Sequence, residues 1–124
     1  MDGFPMTMDM LVRRRFAELA RGLETRCVGG IDRPHRWKPH EVIDVETGFG
    51  MTDPEAWACV ARWLEDTSLP LKSAELRQPK GAVGYVLNVN MKHLDRRVYV
   101  KFEFIIIAER NFICGRSFHL EDPR

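Results

Sequence analysis

The sequence predicts an α+β protein, with N-terminal helices packed on one face of a C-terminal antiparallel β-meander. Two observations predict it. Apolar residues in the first half recur at helical spacing, and after residue 80 the period changes from about 3.6 to about 2. Helices first and strands later is the order of an α+β domain. A chain of 124 residues is one domain's worth, 1–124, and long enough to bury a core.

Each element has its own signal. Residues 8–24 read as an amphipathic helix, with Val12, Phe16, Leu19, Ala20 and Leu23 on one face and Thr7 as its cap. Arg13, Arg14 and Arg15 then fall mostly on the outer, solvated face. Residues 25–50 contain "CVGGIDRPHRWKPH", whose glycines and prolines predict a loop. Pro39 suits the first turn of a short helix running to about Glu46, with Gly48 ending it.

The segment "MTDPEAWACVARWLED" is the clearest. Thr52 and Glu55 form a capping box, Pro54 sits in the first turn, and Trp57, Val60, Ala61 and Leu64 make a stripe. It predicts a helix over 53–66. Residues 83–92 then alternate, with Tyr85, Leu87, Val89 and Met91 on one side. A turn at His93 to Asp95 leads to a second strand over 97–107. Residues 108–111 connect it to a third strand over 112–118.

Composition excludes several classes. Apolar content of 44% with charged content of 30% is that of a soluble globular chain. The longest apolar run, Phe104 to Ala108, is too short to span a bilayer. "MDGFPMTMDM" lacks the pattern of a signal peptide, so a cytoplasmic protein is expected. Cys27, Cys59 and Cys114 form no C-x-x-C pair and read as reduced, mostly buried thiols. The net charge of +1 gives no overall basic bias, but basic residues cluster at Arg13–Arg15, Arg33–His40 and Lys92–Lys101. There is no phosphate-binding glycine loop and no nucleophile on a strained turn. His35 and His40 lack the further ligands that zinc needs, so no cofactor is expected.

The candidate chemistry lies on the strands. In "RRVYVKFEF", Val98, Val100, Phe102 and Phe104 point one way, and Arg97, Tyr99, Lys101 and Glu103 the other. The first strand adds Asn88, Asn90 and Lys92 on its less apolar side. The third adds either Ser117 and His119 or Arg116 and Cys114, depending on register. Such a face is either the wet side of a sheet or a site for a phosphodiester. Metal-free RNA cleavage needs a base for the 2′-hydroxyl, an acid for the 5′-oxygen, and cations for the charged phosphorane. Histidine and tyrosine can move the protons, and lysine and arginine can hold the charge. Arg33, Arg36, Trp37 and Lys38 form a basic, aromatic loop that either stacks a base and holds phosphates or anchors on the core through Trp37.

From residue 46 onward the chain resembles the MqsR-type mRNA interferase toxins of bacterial toxin–antitoxin systems. "ETGFGMTDPEAWACVARWLED" resembles the family's Leu-Gly-Phe step into its second helix. "LPLKSAEL" resembles its Phe-Tyr-Lys-Ser-Met segment, "RRVYVKFEF" its Val-Tyr-Leu-Lys-Ile strand, and "CGRSFHLED" its terminal strand. The resemblance covers about 75 residues and implies a RelE-like fold, endoribonuclease activity on mRNA and a cognate antitoxin as partner. It implies active-site roles for Lys72, Tyr99 and His119, the last standing where the family commonly has lysine. Leu87 or Asn88 stands where the family has a functional glutamine, and the net charge is lower than the family's. On this reading Tyr99 and His119 share the acid–base work, Lys72, Lys101 and Arg116 hold phosphate charge, and Arg33, Arg36, Trp37, Lys38 and Lys92 bind RNA. The alternative is a non-catalytic protein- or RNA-binding module of the same fold.

Overall fold

The computed structural model describes residues 8–29, 36–75 and 83–121. Helix α1 (Met8–Arg21) is followed by short strands β1 (Arg26–Val28) and β2 (Arg36–Trp37) and a 3-10 turn at Pro39–Glu41. Helix α2 (Asp53–Glu65) leads into strands β3 (Lys72–Glu75), β4 (Val83–Val89), β5 (Val98–Ile107) and β6 (Arg110–Leu120). The sheet order is β1-β6-β5-β4-β3, with β2 also pairing with β6. The protein is α+β, as the sequence predicts.

The expected meander is present and one strand longer, because β3 pairs antiparallel with β4. The sheet as a whole is mixed. β1 and β2 both run parallel to β6, where the sequence reading placed a loop. Gly29, at φ 101°, ends β1, so only short strands form on this side. They are too brief to show a period, yet they cover the free edge of β6. The helix foreseen from Pro39 to Glu46 is the 3-10 turn alone. Val42 is already extended and fully buried, and the chain bridges back from Ile43 to Gly50.

Both helices cover one face of the sheet. α2 starts at the expected capping box: the Glu55 amide donates to Thr52 Oγ1 at 3.3 Å, and the Thr52 amide to Glu55 Oε1 at 3.0 Å. Its buried face carries Ala56, Trp57, Val60, Ala61 and Leu64. In α1 the buried stripe is rotated from the expected one. Phe16, Leu19 and Ala20 are buried, but Val12 is partly exposed and Leu23, beyond the helix, is 81% exposed. The stripe centres instead on Arg13, Phe16, Ala17 and Ala20. Phe16 packs on Tyr85, Phe102 and Phe104 of the sheet.

Arg13 is therefore not on a solvated face. It is 3% exposed, and its guanidinium donates to the carbonyls of Leu64, Leu69, Trp63 and Asp66 at 2.7 to 3.0 Å. The last carbonyls of a helix have no partner within it. Here a cation from α1 satisfies those at the end of α2. Arg14 and Arg15 are exposed, as expected.

A second anchor joins the edge strands to α2. Trp37 is 8% exposed, donates from Nε1 to Asp53 Oδ1 at 2.6 Å, and packs against Trp57 and Phe118. Its ring lies over Gly115, where a Cβ would come within 2.5 Å of it. Gly115→Ala must push Trp37 off this seat, and it is expected to cost about 1–3 kcal/mol, the usual range for overpacking. A lowered urea midpoint with altered tryptophan emission checks it; an unchanged midpoint would mean the ring moves at no cost.

Candidate active site

The face of the sheet away from the helices carries the candidate site, and register decides its content. Tyr99 pairs with Asn88 on β4 and His119 on β6, making one row across three strands. The next row is Lys72, Val86, Lys101, Ser117 and Arg36, one residue from each of five strands. Directly opposed residues share a face. The pairing thus selects Ser117 and His119, rather than Arg116 and Phe118, as the neighbours of Lys101 and Tyr99. Phe118 is fully buried on the other side.

A β-bulge at Lys101/Phe102 interrupts this alternation. Ser117 opposes Lys101 and Gly115 opposes Phe102, so Arg116 is the extra residue. That leaves both Arg116 and Ser117 available to the open face. Arg116 Nη2 lies 2.9 Å from Glu103 Oε2, and both side chains are largely buried. The charge of Arg116 is met by this carboxylate, so its part at the site is to hold the bulge rather than to offer a loose cation.

Arg36, Tyr99, Lys101, Ser117, His119 and Glu121 line one open concavity of about 320 Å³. Tyr99 and His119 stack within it, ring centroids 5.3 Å apart and planes 29° apart. His119 is 8% exposed, and its Nδ1 lies 2.7 Å from the Leu120 carbonyl oxygen. A carbonyl can only accept, so Nδ1 carries a proton and Nε2 is the ring atom that can exchange one. Burial raises the Tyr99 pKa above its usual value; Arg36 opposes the shift and Glu121 adds to it. Tyr99 accordingly stays a phenol near neutral pH and can donate a proton. Glu121 is in turn tied to Arg97 Nε at 3.2 Å.

The other predicted residues are distributed as follows. Lys72 shares the face, but it stands two strands from Lys101, roughly 10 Å at strand spacing. It is not among the residues lining the concavity. Of the two readings of Trp37, packing selects the anchor, and its buried ring is not placed to stack a base. Arg36, on the same short strand, is exposed and reaches the concavity. Lys38 is exposed, while its backbone N–H donates to the Phe118 carbonyl at 2.8 Å. Lys92 is exposed in the turn after β4, away from the concavity. Arg33 lies outside the described residues.

Sequence reasoning offered Ser117 beside His119 in one of two registers without giving it a role, and it did not select Glu121 for the site. Ser117 was open to detection through its spacing of two from His119, once register is known. Glu121 has the same spacing of two from His119, but it lies three residues past the strand foreseen over 112–118. A larger cleft of about 740 Å³ lies elsewhere, between α2, the 44–46 turn and Met91. It gathers charges of both signs, including Arg21, Arg62, Asp44 and Glu55, and Arg21 is already paired with Glu65. Its size is greater, but it lacks the convergent histidine and tyrosine of the smaller site.

Among the described residues, no three His, Cys, Asp or Glu side chains come together as metal ligands, and no helix is long and apolar enough to cross a membrane. No family model matches the chain, no curated protein matches it, and no solved structure matches its fold.

Proposed function

We propose that the protein is a small endoribonuclease of the RelE-like, mRNA-interferase kind, cutting single-stranded RNA without a metal ion. The observation that carries this reading is the stacked Tyr99–His119 pair inside a concavity that also holds Arg36 and Lys101. In the proposed step, His119 Nε2 takes the proton of the 2′-hydroxyl. A bond forms from that oxygen to phosphorus, and the bond from phosphorus to the 5′-oxygen breaks. Tyr99 gives its proton to the departing oxygen, which otherwise leaves as a strongly basic alkoxide. Arg36 and Lys101 meet the charge that builds on the phosphorane oxygens. Single-stranded RNA suits an open sheet face, because its linkage can rotate for in-line attack. A protein antitoxin would silence such a site by covering this face.

The position of Lys72 favours a second reading. A cation two strands from the pair suits a non-catalytic module that holds an RNA backbone across the strands. One experiment separates the two. The purified protein, with chelator present, is given a single-stranded RNA and the all-deoxy strand of the same sequence. Cutting of the RNA alone, leaving cyclic phosphate ends, is the expected result. Binding of RNA without cutting would establish the module and end the enzyme reading.

A further inference from the structure

β1 and β6 run parallel, with Cys27 directly opposite Cys114. Opposed residues of neighbouring strands share a face, and their backbones lie about 4.8 Å apart. That spacing falls within the roughly 4.4–6.8 Å between Cα atoms that a disulfide can bridge. The two side chains already reach across the gap. Cys114 Sγ donates to the Gly29 carbonyl at 2.9 Å, just past the end of β1. Cys27 Sγ lies 3.7 Å from the Ile113 carbonyl on β6. Each thiol thus leans over the partner strand. Their exposures differ: Cys27 is exposed and Cys114 buried.

We propose that Cys27 and Cys114 are a peroxide-responsive dithiol that closes to a disulfide and staples β1 to β6. A peroxide meets Cys27 first, because it is the exposed partner. The Cys27 sulfur attacks one peroxide oxygen, the O–O bond breaks, and one water leaves with Cys27 as the sulfenic acid. The Cys114 sulfur then attacks the Cys27 sulfur and loses its proton. The S–O bond breaks, a second water leaves, and the disulfide forms. Both electrons lost by the thiols reduce the peroxide. Burial pushes the Cys114 thiol up to about 12, and the neighbouring Cys27 acts in the same direction. The closing step therefore quickens as pH rises. Cys59, buried beside Arg62 on α2, has no part in the exchange. The pairing holds whether or not the chain cuts RNA.

The test is peptide mapping without reductant after the folded, reduced protein has met hydrogen peroxide at about one equivalent. The expected product is a single linked peptide pair, Cys27 with Cys114, that dithiothreitol reverses and that leaves Cys59 a free thiol. Dimedone added with peroxide should label Cys27 in Cys114→Ala far more than in the wild type, where Cys114 competes for the sulfenic acid. Cys27→Ser should leave Cys114 reduced. Wild-type protein that instead gathers dimedone or sulfinic acid at Cys27, or that links Cys27 between two chains, would overturn the proposal. The wild-type map decides the matter by itself should Cys114→Ala fail to fold.

Discussion

Arg13→Met is expected to destabilise the protein by about 3–5 kcal/mol, the usual cost of removing one partner from a buried charged network. In a domain of this length that corresponds to a fall of roughly 10–20 °C in melting temperature. The loss comes from unmet acceptors. Methionine fills much of the volume but donates nothing, and the carbonyls of Trp63, Leu64, Asp66 and Leu69 each lose their guanidinium partner. A buried acceptor left without a donor costs about 1–3 kcal/mol; the Leu64 and Leu69 carbonyls bear most of this, since those of Trp63 and Asp66 keep the backbone N–H donors of Asp66 and Leu69. The positive charge at the C-terminal end of α2, favourable to the helix dipole, is lost as well. Arg13→Lys keeps the charge, but a single ammonium cannot span four carbonyls, so most of the loss remains. The neighbouring Arg14→Ala and Arg15→Ala act on exposed side chains and should each stay within about 0.5 kcal/mol of wild type. Thermal melts of the four variants check the contrast. Arg13→Met melting alongside Arg14→Ala would show that water replaces the guanidinium at no cost. The same bonds hold the 66–71 turn that delivers β3, so Arg13 also sets where Lys72 meets the sheet.

The sequence made some of this legible and hid the rest for physical reasons. The capping box of α2 was readable because it is a local reciprocal bond. The phase of β4 and β5 was readable because Leu87, Val89, Val98, Val100 and Phe102, on the helix-covered face, recur at every second position. Arg13 was misread because helical periodicity counts apolar residues, and a guanidinium serving carbonyls in the core breaks that count. β1, β2 and β3 were missed as strands because two to four residues carry no measurable period; only pairing to β6 or β4 makes them strands. The site depended on register, which is a long-range property. Tyr99 and His119 were both named from the sequence, yet their stacking follows from the β5–β6 pairing. The bulge that places Arg116 against Glu103 left no mark in the alternation of either strand that could be recognised beforehand.

Tyr99→Phe and His119→Gln are each expected to lower RNA cleavage by about 10²–10⁴-fold, the usual worth of a positioned proton donor or acceptor. Phenylalanine keeps the stack on His119 and removes only the hydroxyl. Its effect therefore reads the proton donor and not the packing. Glutamine keeps polar reach and nearly the length of histidine, but cannot take up and release a proton near neutral pH. The fold should survive both, and unchanged melting curves would confirm it. The pH profile separates the roles further. Tyr99, with its pKa raised by burial, remains protonated through the neutral range, so loss of the donor limits the rate only in alkali, above the ordinary tyrosine value. In Tyr99→Phe that alkaline fall should vanish along with most of the rate. His119→Gln should instead remove the proton acceptor and leave that alkaline fall in place. Full activity in both variants would remove Tyr99 and His119 from the chemistry and leave Arg36 and Lys101 as binding groups alone. Loss of cleavage with RNA affinity intact would place the defect in proton transfer, where the stacked pair and its flanking cations are best suited to act.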